Sequence, residues 1–334
     1  MTRTPAHRPA PAGPAAGRPA RPVRPARPGE LPALVEHPGD PERNAATRAY
    51  LARLLDSGCT RPAWCLVAEG GDGRPVGSVV LWTLPGHRIP LAVVLFEAPA
   101  DEPDTAAALL EAAAGLAAEL GATALQHVLD APAQDPQFQR DPERRTGLLR
   151  QAGFRRIRDG RRFSLHTGPH TGDRLPPDDP ALVFRSLAEL GPEPFVALLE
   201  DLLTDTADAR LAADVREHGA RRAAELLFEE TAELKHEPEW WEIGHDTADG
   251  TPAVISLPAE NPLVAVIGFV GVAPAHRGKG YAAAAVVRGT RILAAHGATE
   301  IRGDCDVANT AMAKAFLRAG YRVVADRQEF SRPL

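Results

Sequence analysis

A repeated segment constrains the fold of this chain more than any other feature of its sequence. Residues 148–164 and 316–331 carry the same succession of small, aromatic and basic residues. Phe163 matches Phe330, and the other matching residues in these segments keep the same offset of 167 positions. Such self-similarity predicts two copies of one fold, each ending in the same motif.

Weaker landmarks extend the repeat upstream. Residues 98–100 and 273–275 both read Ala-Pro-Ala, at an offset of 175, and residues 121–123 and 297–299 both read Gly-Ala-Thr, at an offset of 176. Because the offset then falls to 167, the first copy contains about nine extra residues, which we assign to a longer loop around positions 131–143.

Apolar periodicity predicts strands and helices in mixed order within each copy. We therefore expect an α+β fold, that is, a mixed central β-sheet flanked by helices, formed twice in tandem. Residues 1–30 are rich in Pro, Ala and Arg and are predicted to form a disordered tail. The first unit is assigned to residues 31–170 and the second to residues 178–334.

Composition excludes several classes of protein. The net charge is -6, which argues against a dedicated nucleic-acid binder, and no apolar run is long enough to cross a membrane. Cys59, Cys65 and Cys305 have neither disulfide-framework nor zinc-site spacing, and no metal site is predicted. We expect a soluble cytoplasmic protein that binds neither nucleic acid nor membrane. Its oligomeric state stays open.

A glycine-rich basic turn follows the apolar run of residues 263–272, which we predict to be a central strand buried on both faces. In this turn Gly278 and Gly280 let the backbone approach an anion, while Arg277 and Lys279 add positive charge. A helix predicted to begin near Tyr281 offers unpaired N–H groups. The P-loop and dinucleotide-binding motifs do not fit here, so the turn predicts a phosphate cradle of another kind.

The spacing Arg277-x-x-Gly280-x-Ala282, together with Asn309 downstream, resembles the GNAT acetyltransferase superfamily. The resemblance implies acetyl-CoA as cofactor. It also implies that the backbone at Val270 and Val272 pairs with the pantetheine arm. The following residues would hold the pyrophosphate: Arg277, Gly278, Lys279, Gly280, Tyr281 and Ala282.

Asn309 has two roles open to it. The resemblance implies contact with the pantetheine or the thioester side, whereas asparagine is also a good helix N-cap, and one residue can do both.

Catalytic residues are less well defined by the sequence. Asp304 and Asp306 lie two apart on a predicted strand and so share a face, where they are candidates for general base or substrate binding. Glu260, in a preceding turn, is a third candidate. Phe316 stands where many relatives carry a tyrosine that protonates the thiolate, and phenylalanine has no proton to donate.

In the first copy, Glu102, Pro103 and Thr105 align with Arg277, Gly278 and Gly280. An acidic residue repels a pyrophosphate, and proline lacks an N–H donor. We therefore predict that only the second copy binds CoA.

The hypothesis from sequence is a tandem GNAT enzyme that transfers an acetyl group to a small-molecule amine by direct attack in a ternary complex. The spacing Asp306-x-x-Asn309-x-x-Met312 and the degenerate first copy are similar to the mycothiol synthase branch. Two alternatives remain open: a non-catalytic acyl-CoA-binding or regulatory module, and an acetyltransferase for protein amino termini or lysines.

Overall fold

The computed structural model of the protein describes residues 21–37, 39–168 and 171–334. The strands of the first unit are β1 (Val23–Pro25), β2 (Cys65–Glu69), β3 (Pro75–Trp82), β4 (Ala92–Glu97), β5 (Ala124–Ala131) and β6 (Arg155–His166). Its helices are α1 (Pro41–Asp56), α2 (Pro103–Glu119) and α3 (Pro142–Gln151), with short 3₁₀ turns at Pro28–Val35 and Pro62–Trp64.

The second unit repeats this order after a short helix, α4 (Thr171–Arg174). Its strands are β7 (Leu182–Ser186), β8 (Glu242–Asp246), β9 (Pro252–Glu260), β10 (Ala265–Val272), β11 (Glu300–Asp306) and β12 (Arg322–Pro333). Its helices are α5 (Leu187–Leu190), α6 (Pro192–Leu203), α7 (Ala209–His218), α8 (Ala220–Ala232), α9 (Tyr281–Ala295) and α10 (Thr310–Arg318).

All twelve strands form one sheet, in the order β1-β2-β3-β4-β5-β12-β6-β11-β10-β9-β8-β7. The last strand of each unit is exchanged: β12 pairs antiparallel with β5 of the first unit, and β6 pairs antiparallel with β11 of the second. β6 and β12 also pair with each other at the centre. Exchange therefore leaves neither β5 nor β11 as an open sheet edge.

The exchange carries one aromatic side chain into each opposite core. Phe163 on β6 is fully buried in the core of the second unit, where its ring stacks on Phe316 with centroids 4.8 Å apart. Phe330 on β12 is fully buried in the core of the first unit, with Phe96 and Phe154. The two residues matched by the repeat thus occupy equivalent positions, each in the other unit.

Two expectations from sequence are wrong in detail. Residues 1–20 of the predicted tail lie outside the described residues, but its end is ordered, because Val23–Pro25 pairs with β2. β10 is not buried on both faces, because it borders the cleft described below.

No helix in the described part of the chain is long and apolar enough to cross a membrane.

Because the last strands are exchanged, truncating the buried phenylalanine of one of these strands is predicted to destabilise the opposite unit. Phe330→Ala is expected to cost about 3–5 kcal/mol, the usual loss for a buried phenylalanine. Hydrogen exchange followed by mass spectrometry is then expected to speed up in α2 and β4 of the first unit. Phe163→Ala is the matched variant and is expected to affect α9 and α10. The opposite pattern would contradict the exchange.

Candidate functional site

A cleft of about 800 Å³ opens between β10 and β11. The two strands pair in parallel only through Ala265 with Ile301 and Val266 with Arg302, and then separate. A bulge between Ile267 and Phe269 bends β10 at the point of separation. Residue 268 is glycine because a Cβ there would lie 2.8 Å from the carbonyl oxygen of Leu257. The bulge therefore depends on close approach of two backbones.

The free backbone groups of β10 face this cleft. Ala273 donates its N–H to Ala253 on β9, and the groups of successive residues in an antiparallel strand point alternately to the two sides. The N–H groups of Val270 and Val272 consequently point away from β9. Both residues line the cleft. Their pairing with a pantetheine arm stays a prediction.

The predicted cradle lies at the end of β10. Gly278 and Gly280 have φ angles of +84° and +91°, in the left-handed region that favours glycine, and α9 begins directly after them. Within the described residues, the five backbone N–H groups of residues 278–282 have no hydrogen-bond partner. Five unpaired donors at the positive end of a helix make a site for an anion.

Arg277 lines the cleft beside these amides. Its Nη1 donates to Oδ2 of Asp205 at 2.7 Å, and its Nη2 donates to the Asp205 carbonyl at 3.2 Å. Asp205 is largely exposed, so this ion pair contributes little stability. A phosphate can therefore replace Asp205 as the partner of Arg277.

Lys279 and Tyr281 direct their polar groups elsewhere. The Lys279 Nζ and the Tyr281 Oη both donate to Oδ2 of Asp246, each at 2.8 Å. His276 places its Nδ1 3.2 Å from the same oxygen. Asp246 is buried, and the hydrogen bond from Lys279, followed by those from the Ala248 amide and Tyr281, holds its pKa far below its usual range.

Asp246 therefore supports the cradle from behind. Lys279 is not among the residues that line the cleft, so its side chain is not positioned in this structure for the expected contact with pyrophosphate. The sequence could not indicate this, because Asp246 lies 33 positions away. The backbone amides and Arg277 therefore face the cleft, whereas the Lys279 ammonium is paired with Asp246.

Asn309 lines the cleft and caps α10, because its Oδ1 accepts the Met312 N–H at 3.0 Å. The capping role is thus present, and contact with a ligand remains a prediction.

The three carboxylate candidates lie in two different parts of the second unit. Asp304 and Asp306 both line the cleft. Asp306 is buried and its Oδ1 accepts the Ala308 N–H at 2.8 Å. Glu260 lies at the far end of β9, where its carboxylate is 2.5 Å from the Lys235 Nζ, outside the residues that line the cleft. The expectation that Glu260 belongs to this site is therefore wrong.

No described tyrosine replaces the missing acid at position 316. Phe316 lines the cleft and packs against Phe163 and Tyr321. The Tyr321 hydroxyl is buried and shares a 2.7 Å hydrogen bond with Thr290, and burial raises its pKa well above the usual range.

Burial also raises the pKa of Cys305 to about 11, so its thiol is protonated near neutral pH.

Two cleft residues were not singled out from the sequence. Arg158 on β6 and Glu329 on β12 face each other across the paired exchanged strands. The repeat offers no signal for them, because Arg158 aligns with Ala325 and Glu329 with Arg162. Only the pairing of distant strands brings these two charges to the cleft.

The corresponding cleft of the first unit is filled by its own chain. Leu95, which aligns with Val270, donates its N–H to the side-chain oxygen of Gln137 at 3.1 Å. The Arg145 Nη1 donates to the carbonyl of Phe96. Gln137 belongs to the longer loop predicted around residues 131–143, so the extra residues occupy the space that is open in the second unit.

The cradle of the first unit is also closed. α2 begins at Pro103, so a helical turn stands where the second unit has its glycine loop. Glu102 forms an ion pair with Arg21 at 2.5 Å and accepts from the buried Thr105 hydroxyl at 2.8 Å. This arrangement supports the expectation that the first unit does not hold a phosphate here.

The described residues contain no cluster of His, Cys, Asp or Glu side chains that could hold a metal ion.

Comparison with known proteins identifies the fold. The acetyltransferase (GNAT) family model matches residues 209–321, and no curated protein matches the sequence significantly. The chain is similar to a GCN5-related N-acetyltransferase from Sphaerobacter thermophilus, with a TM-score of 0.60 and 16% identity over 95% of this chain and 97% of that one.

A second similar structure is the GCN5-related glucosamine N-acetyltransferase region of a fungal multi-domain GH3 beta-N-acetylglucosaminidase. Its TM-score is 0.52 and its identity 14%, over 92% of this chain and 38% of that one. The predicted fold class, two GNAT-like folds in tandem, is confirmed by the first of these likenesses and by the twelve-stranded sheet.

The contacts of Asp246 predict that Asp246→Asn loosens the cradle and lowers the thermal midpoint. A carboxyl whose pKa is depressed on folding stabilises the fold above its unfolded pKa of about 3.9, and this contribution is lost as the pH falls. The difference in midpoint from the wild type is therefore expected to be constant from about pH 8 to pH 5 and to shrink below about pH 4. Calorimetric scans across this range measure it.

Asp201→Asn, at an exposed position of α6 in the same unit, is the control and is expected to leave the midpoint nearly unchanged. A midpoint difference for Asp246→Asn that grows toward acidic pH would contradict the assignment.

Proposed function

We propose that the chain, whose residues 209–321 match the acetyltransferase (GNAT) family model, is an acetyl-CoA-dependent N-acetyltransferase acting on an amine of a small molecule. The observation that carries the proposal is the row of five unpaired N–H groups at residues 278–282, placed at the mouth of an open cleft. A diphosphate is the part of acetyl-CoA that such a row of donors fits.

The rest of the cleft also suits this cofactor. The N–H groups of Val270 and Val272 point into the cleft, where they can bind an amide-containing arm and polarise a carbonyl oxygen. Arg277 adds a charge next to the cradle, which its weak pairing with Asp205 leaves available.

The reaction needs mainly positioning and proton transfer. The amine nitrogen forms a bond to the acetyl carbon as the carbon–sulfur bond breaks, and the CoA sulfur leaves as a thiolate. The proton lost by the amine passes to a carboxylate in the cleft, for which Asp304 and Asp306 are the candidates left after Glu260 is removed. Phe316 supplies no proton, so the thiolate is protonated by water.

A non-catalytic acyl-CoA-binding module is the second candidate. Phe316 favours it, because a hydroxyl donor is missing at the position where a thiolate would leave. Thiols with a pKa of about 8.5 leave without prior protonation, however, so the missing acid does not prevent transfer.

We predict one acetyl-CoA site per chain by titration calorimetry. Gly280→Glu is expected to weaken binding at least about 100-fold, because a carboxylate replaces free space at the cradle and repels the diphosphate. Gly86→Glu is the matched control, since Gly86 also has a positive φ and open space around it but lies in the first unit. Two equivalent sites would contradict the closed state of the first cleft.

Thiol release distinguishes the enzyme from the binding module. With acetyl-CoA and a panel of small amines, we expect release of free CoA that depends on the amine and is lost in Gly280→Glu. Stoichiometric binding of acetyl-CoA with no release above the rate without amine would favour the binding module.

A further inference from the structure

One wall of the cleft is made by the exchanged strands. Among the described residues that line the cleft, Arg158 is the only one from the first unit. It lies directly opposite Glu329 in the pairing of β6 with β12, and both side chains reach the same cleft. The first unit, whose own cleft is filled, therefore contributes a charge to the cleft of the second.

Two carboxylates fix Arg158 in position. Its Nη1 donates to Oε1 of Glu329 at 2.5 Å, and its Nε lies 3.0 Å from Oδ2 of Asp208. Only 11% of the Arg158 side chain is exposed. Asp208 in turn caps α7 by accepting the N–H groups of Arg210 and Leu211, so neither the arginine nor Asp208 moves freely. Oε2 of Glu329 keeps no hydrogen-bond donor within the described chain.

Asp304 also has a carboxylate oxygen that accepts no hydrogen bond in the described part of the chain. Its Oδ2 accepts from Arg327 at 3.3 Å. Its Oδ1 is buried and makes no hydrogen bond within the described residues, although the Nε of Arg162 lies 3.5 Å away. A buried acceptor without a donor is destabilising, and a ligand N–H can supply the missing donor.

The network around these oxygens has an excess of negative charge. Arg327 and Arg162 both bind Asp130, which completes a set of three arginines and four carboxylates. The four carboxylates outnumber the three arginines, so the network carries one net negative charge. The wall therefore attracts a cation and repels an anion.

We propose that this wall binds the acceptor and selects amines that carry a second, cationic group besides the amine that is acetylated. Glu329 and Asp304 receive this second ammonium group, and Arg158 positions Glu329. The inference rests on the proposed function, because it concerns the second substrate of the same cleft. It also assigns the first unit a role: it supplies the arginine that holds the recognition residue.

A matched pair of amines tests the proposal. Cadaverine and 6-aminohexanoate have the same primary amine on the same chain and end in an ammonium and a carboxylate. In the thiol-release assay, kcat/KM for cadaverine is expected to exceed that for 6-aminohexanoate at least about tenfold, and the ratio to fall as salt is added. Equal rates, a preference for 6-aminohexanoate, or no turnover of either amine would overturn the proposal.

Substitutions in the wall test which residues cause the preference for cadaverine. Glu329→Gln is expected to raise KM for cadaverine about tenfold while leaving KM for acetyl-CoA unchanged, and to reduce the preference. Asp304→Asn is the second variant and decides the matter if Glu329→Gln fails to fold. Asp326→Asn is the control, since Asp326 lies on the same strand but is 69% exposed. An unchanged preference in both cleft variants would overturn the assignment.

Failure of this inference can be told from failure of the proposed function. If the wild type does not bind acetyl-CoA, the function itself is wrong. If it binds acetyl-CoA but shows no dependence on the charge of the acceptor, only the acceptor assignment is lost.

Discussion

Pairing of β6 with β12 at the centre of the sheet is the interaction on which the rest of the structure depends. Each strand covers the open side of the other unit's fifth strand, so separating the units would break three strand pairings and expose six rows of backbone hydrogen-bonding groups. The same strands deliver Phe163 and Phe330 to opposite cores. The two halves are consequently one cooperative body, although the chain repeats a single motif.

Exchange also decides what surrounds the cleft. Because β6 lies beside β11, residues of the first unit reach the place where β10 and β11 separate. The cleft thus has a cofactor end built only from the second unit and a charged wall that both units share. The first unit has no cradle of its own, but the second unit needs its fold, because the last strand of the first unit pairs with β11.

The two clefts show how one backbone arrangement supports opposite outcomes. In the second unit, glycines hold the loop in a left-handed conformation, and Asp246 ties Lys279 and Tyr281 behind it, leaving amides free. In the first unit a helical turn replaces the loop and a longer connection places Gln137 against the strand amide. A buried polar backbone group needs a partner, and here the chain itself supplies it.

Local features of the sequence determined much of this protein. The repeat, the order of strands and helices, the glycine cradle and its loss in the first unit were all readable, because periodicity and positive φ angles constrain residues close in sequence. Tertiary structure alone decided the strand exchange, the contact of Lys279 with Asp246, the removal of Glu260 from the site and the arrival of Arg158 and Glu329. These depend on pairings between distant segments, and a single sequence does not specify which strands become neighbours.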